Sequence, residues 1–302
     1  MASVDFGHFI DDAAVFPPGL ASLPAAVANH LKNATLPSAP YIGPLVLPLK
    51  DIAEAAALAN GQELDLSAVT PAGELASVGE VLDGLLPNTA LTAVELKVST
   101  VDDEADAQLE DAASFRSAHP DIAVWIELPA VLVTAQRLTW MKDHGLGLKF
   151  RTGGVRRALY PTPEDLLDVL GCAVDTDIPF KLTAGLHRAM RYSETVGAGP
   201  DEEQLDHFGF LNIAGAVAAL RAGSPADSAA DVLASDNGQN VTAATADGLW
   251  RESFTSFGCC SVLEALTTLS DLGAVDRGVL EDMTEPHDVD LTTKGTTHDH
   301  CS

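Results

Sequence analysis

The chain predicts an α/β fold: a single (β/α)8 barrel of the TIM type, with a long loop and extra helices between strands seven and eight. Three observations carry this reading. Eight short apolar runs alternate with helix-compatible segments between residues 4 and 272. Strand followed by helix, repeated, implies parallel pairing through right-handed crossovers, and eight such units match the barrel closely. Several runs also place polar residues at every second position. A closed barrel sends such residues inward while their apolar neighbours meet the helices. The main rival, a doubly wound open sheet, favours continuous apolar strands covered on both faces.

Taken in order, the strands are expected at 4–10 (VDFGHFI), 42–49 (IGPLVLPL), 63–69 (ELDLSAV), 91–98 (LTAVELKV), 122–129 (IAVWIELP), 146–152 (LGLKFRT), 179–186 (PFKLTAGL) and 252–257 (ESFTSF). Helices are expected at 23–33, 51–60, 72–86, 103–117, 130–143, 162–174, 206–222 and 261–272. Thr162 ahead of Pro163, Glu164 and Asp165 gives an N-cap, a first-turn proline and acidic residues suited to the helix dipole. Asp206 is placed to cap the helix through FLNIAGAVAALRAG. The alternation puts Glu95 with Lys97 on one face, Trp125 with Glu127, Lys149 with Arg151, and Lys181 with Thr183, Gly185 and His187. Segment 187–205 is a long connection that reads either as a lid or as a surface elaboration. Segment 223–251 adds one or two short helices. The barrel is expected over 1–282 and a disordered polar tail over 283–302.

A net charge of −27, from 44 acidic and 17 basic residues, argues against nucleic acid or an anionic membrane as partner. It also means that an anionic substrate needs local cations. No run approaches the roughly 20 apolar residues of a membrane helix. The start, MASVDFGHFIDDAAVF, lacks a basic segment followed by an apolar one, so no secretion signal is expected and cytoplasm is the default. Cys172, Cys259, Cys260 and Cys301 have neither zinc-site spacing nor a disulfide framework, which fits a reducing compartment. Self-association is open, since the pattern does not divide apolar helix residues between core and interface.

Only seven lysines occur, and Lys50, Lys97, Lys149 and Lys181 each close an apolar strand-like run. Lysine normally keeps its ammonium in water on helix surfaces. Catalytic groups of a TIM barrel sit at the C-terminal ends of its strands. Lys149 and Lys181 occupy comparable places on strands six and seven. Two ammonium groups converging in a desolvated cavity depress each other's pKa, and a neutral amine attacks a carbonyl to form a Schiff base. Glu127 or Glu95 is then the general acid/base, with Lys97 nearby and Asp12 a further candidate at the end of strand one. His187, on the face of Lys181, is a proton-transfer candidate. The alternative for the same residues is a structural ion-pair network, although buried pairs contribute weakly to stability. Lys50, beside Asp51, reads as an exposed rim residue.

Arg151 followed by Thr152, Gly153 and Gly154 reads as an anion cradle, a guanidinium fork with backbone N–H groups. Thr183 and Gly185 share the inward face, and Gly258 with Ser261 opens the last helix, a place where barrels often bind phosphate. Arg156, Arg157, Arg188 and Arg191 flank the expected mouth and suit steering of an anion. No cofactor is expected. Mg²⁺ held by Asp11, Asp12, Glu95 and Glu127 is the minor alternative. Cys259 and Cys260 read as packing residues, and His298, His300 and Cys301 as part of the tail.

The pair LKFRTGG and FKLTAGLH resembles the sixth and seventh strands of deoxyribose-phosphate aldolase-like class I aldolases. That resemblance implies Lys149 as the Schiff-base nucleophile and Lys181 as its electrostatic partner. The longer set FIDDAAVFPP, KFRTGG, FKLTAGLHR, HFGFLN and FGCCS resembles a bacterial group of uncharacterised barrel-like proteins, which implies the fold but no activity. The expectation is an enzyme of lyase or isomerase type acting on a small anionic carbonyl compound, its anion a phosphate or a carboxylate. A metal-assisted enzyme and a non-catalytic ligand-binding barrel are the alternatives.

Overall fold

The computed structural model describes residues 5–196 and 202–288. Its strands and helices run β1 Ile10–Asp12, α1 Leu23–Asn33, β2 Ile42–Pro48, α2 Ile52–Leu58, β3 Leu64–Pro71, α3 Leu75–Asp83, β4 Thr89–Lys97, α4 Asp102–Ala118, β5 Ala123–Glu127, α5 Ala135–Asp143 and β6 Leu146–Arg151. They continue with α6 Pro163–Thr176, β7 Phe180–Thr183, β8 Tyr192–Val196, β9 Glu203–His207, α7 Phe210–Arg221, α8 Ala226–Ala234, α9 Gly238–Ala244, β10 Phe254–Cys259 and α10 Val262–Asp271. Strands β1 to β7 and β10 pair in parallel and close into a barrel, while β8 and β9 form a separate antiparallel pair. The chain is therefore an α/β TIM-type barrel, with two helices inserted after α7 as expected.

The outward positions are apolar and dry: Leu45, Leu47, Leu66, Leu96, Ile126, Leu148 and Leu182 are all fully buried against the helices. At the seam where β1 meets β10, Phe9 packs on Trp250 and Phe254 at 4.9 Å and on Phe257 at 5.1 Å between ring centroids. Such pairs add about 0.5–1.5 kcal/mol each beyond their burial. They hold the first and last strands together without any covalent closure.

Two of the shifts from the expected bounds change what a residue does. The first strand, read at 4–10, begins only at Ile10. His8 takes φ 48° and the Phe9 N–H turns back to Phe6 O, so the preceding residues form a turn. The helix expected from Asp206 starts at Phe210, and Asp206 instead lies in β9, accepting a 2.6 Å hydrogen bond from Ser193 Oγ. Leu205 and His207 alternate with exposed neighbours, a strand pattern. Gly209 caps the helix because a Cβ there would lie 2.4 Å from Ala189 O. Thr162 caps α6 as expected, and Asp165 completes a capping box with it. Of the segment read as tail, Met283 is buried and Thr284 bonds to Lys32 and Asn29 of α1. The rest of it, from residue 289, lies outside the described residues.

Inside the barrel, Trp125 of β5 fills the space below the polar groups because its neighbour on β6 is Gly147. A Cβ at Gly147 would sit 2.4 Å from the indole ring. Gly147→Ala is expected to cost about 1–3 kcal/mol through overpacking, read as a lower melting temperature. An unchanged melt would mean that the indole does not occupy that space.

Candidate active site

Parallel register brings the charged strand residues side by side: Lys97 beside Glu127, Glu127 beside Lys149, and Lys149 beside Lys181. The outcome is a chain of alternating charge. Asp11 Oδ2 accepts from Lys181 Nζ at 2.6 Å, and the same ammonium donates to Glu95 Oε1 at 2.6 Å. Glu95 Oε2 lies 2.9 Å from Lys149 Nζ, which lies 2.9 Å from Glu127 Oε2. Arg151 Nε ends the chain, 3.5 Å from Glu127 Oε1. Two hydroxyls join the chain, Ser67 Oγ donating to Glu95 at 2.8 Å and Ser256 Oγ to Asp11 at 2.8 Å.

Exposure rises along this chain, from 2% at Lys181 to 8% at Glu127 and 41% for the Arg151 side chain. The upper end opens on a cavity of about 330 Å³ whose wall includes Glu95, Lys97, Glu127, Lys149, Arg151 and His187. Lys181 and Asp11 are not part of that wall. Lys181 Nζ sits 6.0 Å from the centroid of the Trp125 ring, on the floor. Of the two lysines, Lys149 is the one that meets the cavity.

The lysines do not lower each other's pKa. Burial favours the neutral amine, but Glu95 and Glu127 around Lys149, and Asp11 and Glu95 around Lys181, outweigh it and hold both above the ordinary lysine value. Each ammonium lies within 2.9 Å of two carboxylates, so the like-charge effect expected from sequence is overridden. Burial likewise favours the protonated form of Glu95, yet two ammonium groups hold it far below the usual range. Glu127 is lowered too, burial being outweighed by Lys149, Arg151 and Lys97. Asp11 goes the other way, since burial exceeds the pull of the single ammonium it shares with Glu95. The resting state is ammonium and carboxylate throughout the upper part of the chain.

Asp12 is not in the cluster. Strand β1 pairs Ile10 with Phe257 and Asp11 with Gly258, which turns Asp11 inward and Asp12 outward, where its carboxylate lies 3.0 Å from His30 Nδ1 of α1. The adjacent residue carries the inward carboxylate. Gly43 makes room for it, because a Cβ there would lie 2.1 Å from Asp11 Oδ1. Asp12, Glu95 and Glu127 are thus not assembled as metal ligands. Among the described residues no group of three or more His, Cys, Asp or Glu side chains is placed to hold a metal ion.

The expected anion cradle comes apart. Thr152 is buried and its hydroxyl donates to Ala184 O at 2.7 Å, tying β6 to the turn after β7. Gly153 packs backbone to backbone on Gly185, where a Cβ would approach Gly153 Cα to 2.9 Å. Ser261 Oγ caps α10, accepting from the Glu264 N–H at 3.0 Å and donating to Glu285. Gly154, Thr183, Gly185 and Gly258 do line the cavity. Arg188 is held by Glu264 at 2.7 Å and Arg191 by Asp236 at 2.8 Å, so neither is a free steering cation. Lys50 is exposed, as expected of a rim residue.

His187, just after β7, also lines the cavity, its Nδ1 3.3 Å from Cys260 Sγ. Burial lowers the histidine below its ordinary value and pushes the Cys260 thiol up to about 12, leaving a neutral pair. A second buried histidine, His207, ends β9 just past the long connection. Its ring stacks on Tyr192 at 4.4 Å, lies 2.9 Å from Glu194 and 3.2 Å from Gly185 O, and fixes β8 and β9 beside the mouth. The alternation in EQLDH was the signal for it. Ser67 and Ser256 were missed, and Asp11 was read only as a metal-ligand candidate beside Asp12, because their parity depends on where each strand begins.

No family model matches the chain, and no curated protein does. Among solved structures, one described as an aldolase matches 90% of this chain and 97% of its own, with 12% identity and a TM-score of 0.49. That likeness concerns overall shape and says nothing about the side chains of the site. No helix among the described residues is long and apolar enough to cross a membrane.

Proposed function

We propose that the barrel mouth is the active site of a lyase- or isomerase-type enzyme acting on a small anionic carbonyl compound. The observation that carries this is the pairing of Glu127 and Lys149 at 2.9 Å on the wall of a cavity of about 330 Å³. Glu127, held ionised, takes a proton from the carbon beside the carbonyl. The electron pair moves onto the carbonyl oxygen, where the Lys149 ammonium donates a hydrogen bond to the developing enolate. In an isomerisation Glu127, now carrying that proton, returns it to a second position, with the neutral His187 elsewhere on the cavity wall. Cleavage of the next carbon–carbon bond in reverse of an aldol addition uses the same donor. Lys97 and Arg151 hold the anionic end, and Lys181 with Asp11 fixes Glu95 beneath.

A Schiff base on Lys149 is the second reading, favoured by its being the lysine at the cavity wall. It requires Lys149 to pass a proton to Glu127 first. Binding an anion to Arg151 and Lys97 eases that transfer, because those cations are among the groups that hold Glu127 ionised. The experiment is solvent deuterium exchange, followed by proton NMR, on a panel of small 2-oxo acids and phosphorylated ketoses. At least one compound is expected to exchange the hydrogen next to its carbonyl. Binding without exchange across the panel would leave a ligand-binding barrel and sink the catalytic reading. Borohydride trapping of the exchanging compound separates the two routes, since only the imine leaves a reduced adduct on Lys149.

A further inference from the structure

Resting on that reading of the site, we infer that the substrate is a 2-oxo acid, with its carboxylate bonded directly to the reacting carbonyl carbon, and not a phosphorylated sugar. The distances that decide this converge on one side chain. Lys149 Nζ is 2.9 Å from Glu127 Oε2, and Arg151 Nε is 3.5 Å from Glu127 Oε1. The carbonyl donor and the anion-binding guanidinium therefore flank the two oxygens of a single carboxylate. Lys97, paired in register with Glu127 from the other side, is exposed and makes no ion pair with any described residue. A ligand that touches Lys149 with its carbonyl oxygen and Arg151 or Lys97 with its anion must carry the two groups close together. In a 2-oxo acid one bond separates them, and a planar carboxylate matches the guanidinium fork.

A phosphorylated ketose or aldehyde places its phosphate farther from the carbonyl and needs a cation or a set of free N–H groups some distance away. Arg156 and Arg157 are not part of the cavity wall, and other places that would supply these are occupied. The N-terminus of α10 is closed by the Ser261 hydroxyl, with the Glu264 and Glu285 side chains beside it. Arg188 is engaged by Glu264, and the Gly153–Gly185 crossing has no gap between its backbones. The wall contributed by the first three barrel strands and the turn after β1 is apolar there, with Ala13, Phe16, Val46 and Val69. That surface suits the short carbon substituent of a 2-oxo acid and offers a phosphate nothing.

The test is calorimetric binding of oxamate, an unreactive isostere of pyruvate, against dihydroxyacetone phosphate and inorganic phosphate. The full-length protein and its Arg151→Met and Lys97→Met variants are compared, with thermal melts to verify that each variant folds. Oxamate is expected to bind, to resist a tenfold excess of inorganic phosphate, and to weaken at least tenfold in each variant. Tighter binding of either phosphate compound, undiminished oxamate binding in both variants, or no binding of oxamate would overturn the inference. Its failure is distinguishable from failure of the catalytic reading. Oxamate binding without deuterium exchange from pyruvate removes only the catalysis, whereas exchange confined to dihydroxyacetone phosphate removes only the 2-oxo acid.

Discussion

Glu95→Gln is expected to cost about 3–5 kcal/mol of stability, the penalty for leaving buried charge uncompensated. The melting temperature should fall by on the order of 10 °C. Glu95 is 1% exposed and, among the described residues, is the only carboxylate that meets both lysines, Lys181 at 2.6 Å and Lys149 at 2.9 Å. The amide keeps the shape and loses the charge, so two ammonium groups remain in a low-dielectric interior with Asp11 and Glu127 as their remaining counter-charges. Adding Lys181→Met to Glu95→Gln removes one of those stranded cations and should recover part of the loss, a coupling that a double-mutant cycle measures. A melt within a degree or two of the parent for Glu95→Gln would show that the interior is more hydrated than its burial implies.

The same network sets the pH range of stability. Glu95 and Glu127 have folded-state pKa values below the ordinary 4.5, so their contribution is present above that value and is lost as pH falls through the lowered ones. Lys149 and Lys181 are raised above 10.5, so theirs is present below 10.5 and is lost as pH climbs through the raised values. Asp11, raised above 3.8, opposes its neighbours and costs stability once the unfolded chain ionises there. Denaturant melts should therefore give a broad plateau through neutral pH.

Glu127→Gln is expected to slow deuterium exchange by about 10²–10⁴-fold, the usual contribution of a positioned general base. Lys149→Met should slow it by about 10²–10³-fold, as for removal of one donor to a developing oxyanion. Combined, the two losses should be far from additive, because base and donor act on the same transition state. The pH profile follows from the shifts: the acid limb falls below 4.5 as Glu127 is protonated, and the alkaline limb lies above 10.5. A limb near neutrality would point to His187 as the group whose proton controls the rate. Full exchange activity in Glu127→Gln would remove Glu127 from the mechanism.

Much of this molecule was legible in the order of its residues. Eight alternations of strand and helix specify the barrel, because each period is a local property of the chain and parallel strands need the intervening helices. The same period of two predicted that Glu95, Glu127, Lys149 and Lys181 face inward together. Glycines were harder to assign. Gly153 and Gly185 read as ligand-binding backbone but let two chains cross, while Gly43 and Gly147, unremarked in the sequence, make room for Asp11 and Trp125.

What the sequence by itself determined is the fold and the gathering of scarce cations with carboxylates at one end of it, since both follow from short-range periodicity. What only the tertiary structure decided is who pairs with whom. The turn at His8 and the pairing of Ile10 with Phe257 made Asp11, not Asp12, the inward acid. Ring closure across β1 and β10 brought that acid to Lys181, 170 positions away in the chain. Once each lysine had two carboxylates within hydrogen-bonding distance, the attraction outweighed both burial and the neighbouring ammonium. That reversed the expected direction of the lysine pKa values, because Coulomb energies depend on distances that no sequence period encodes.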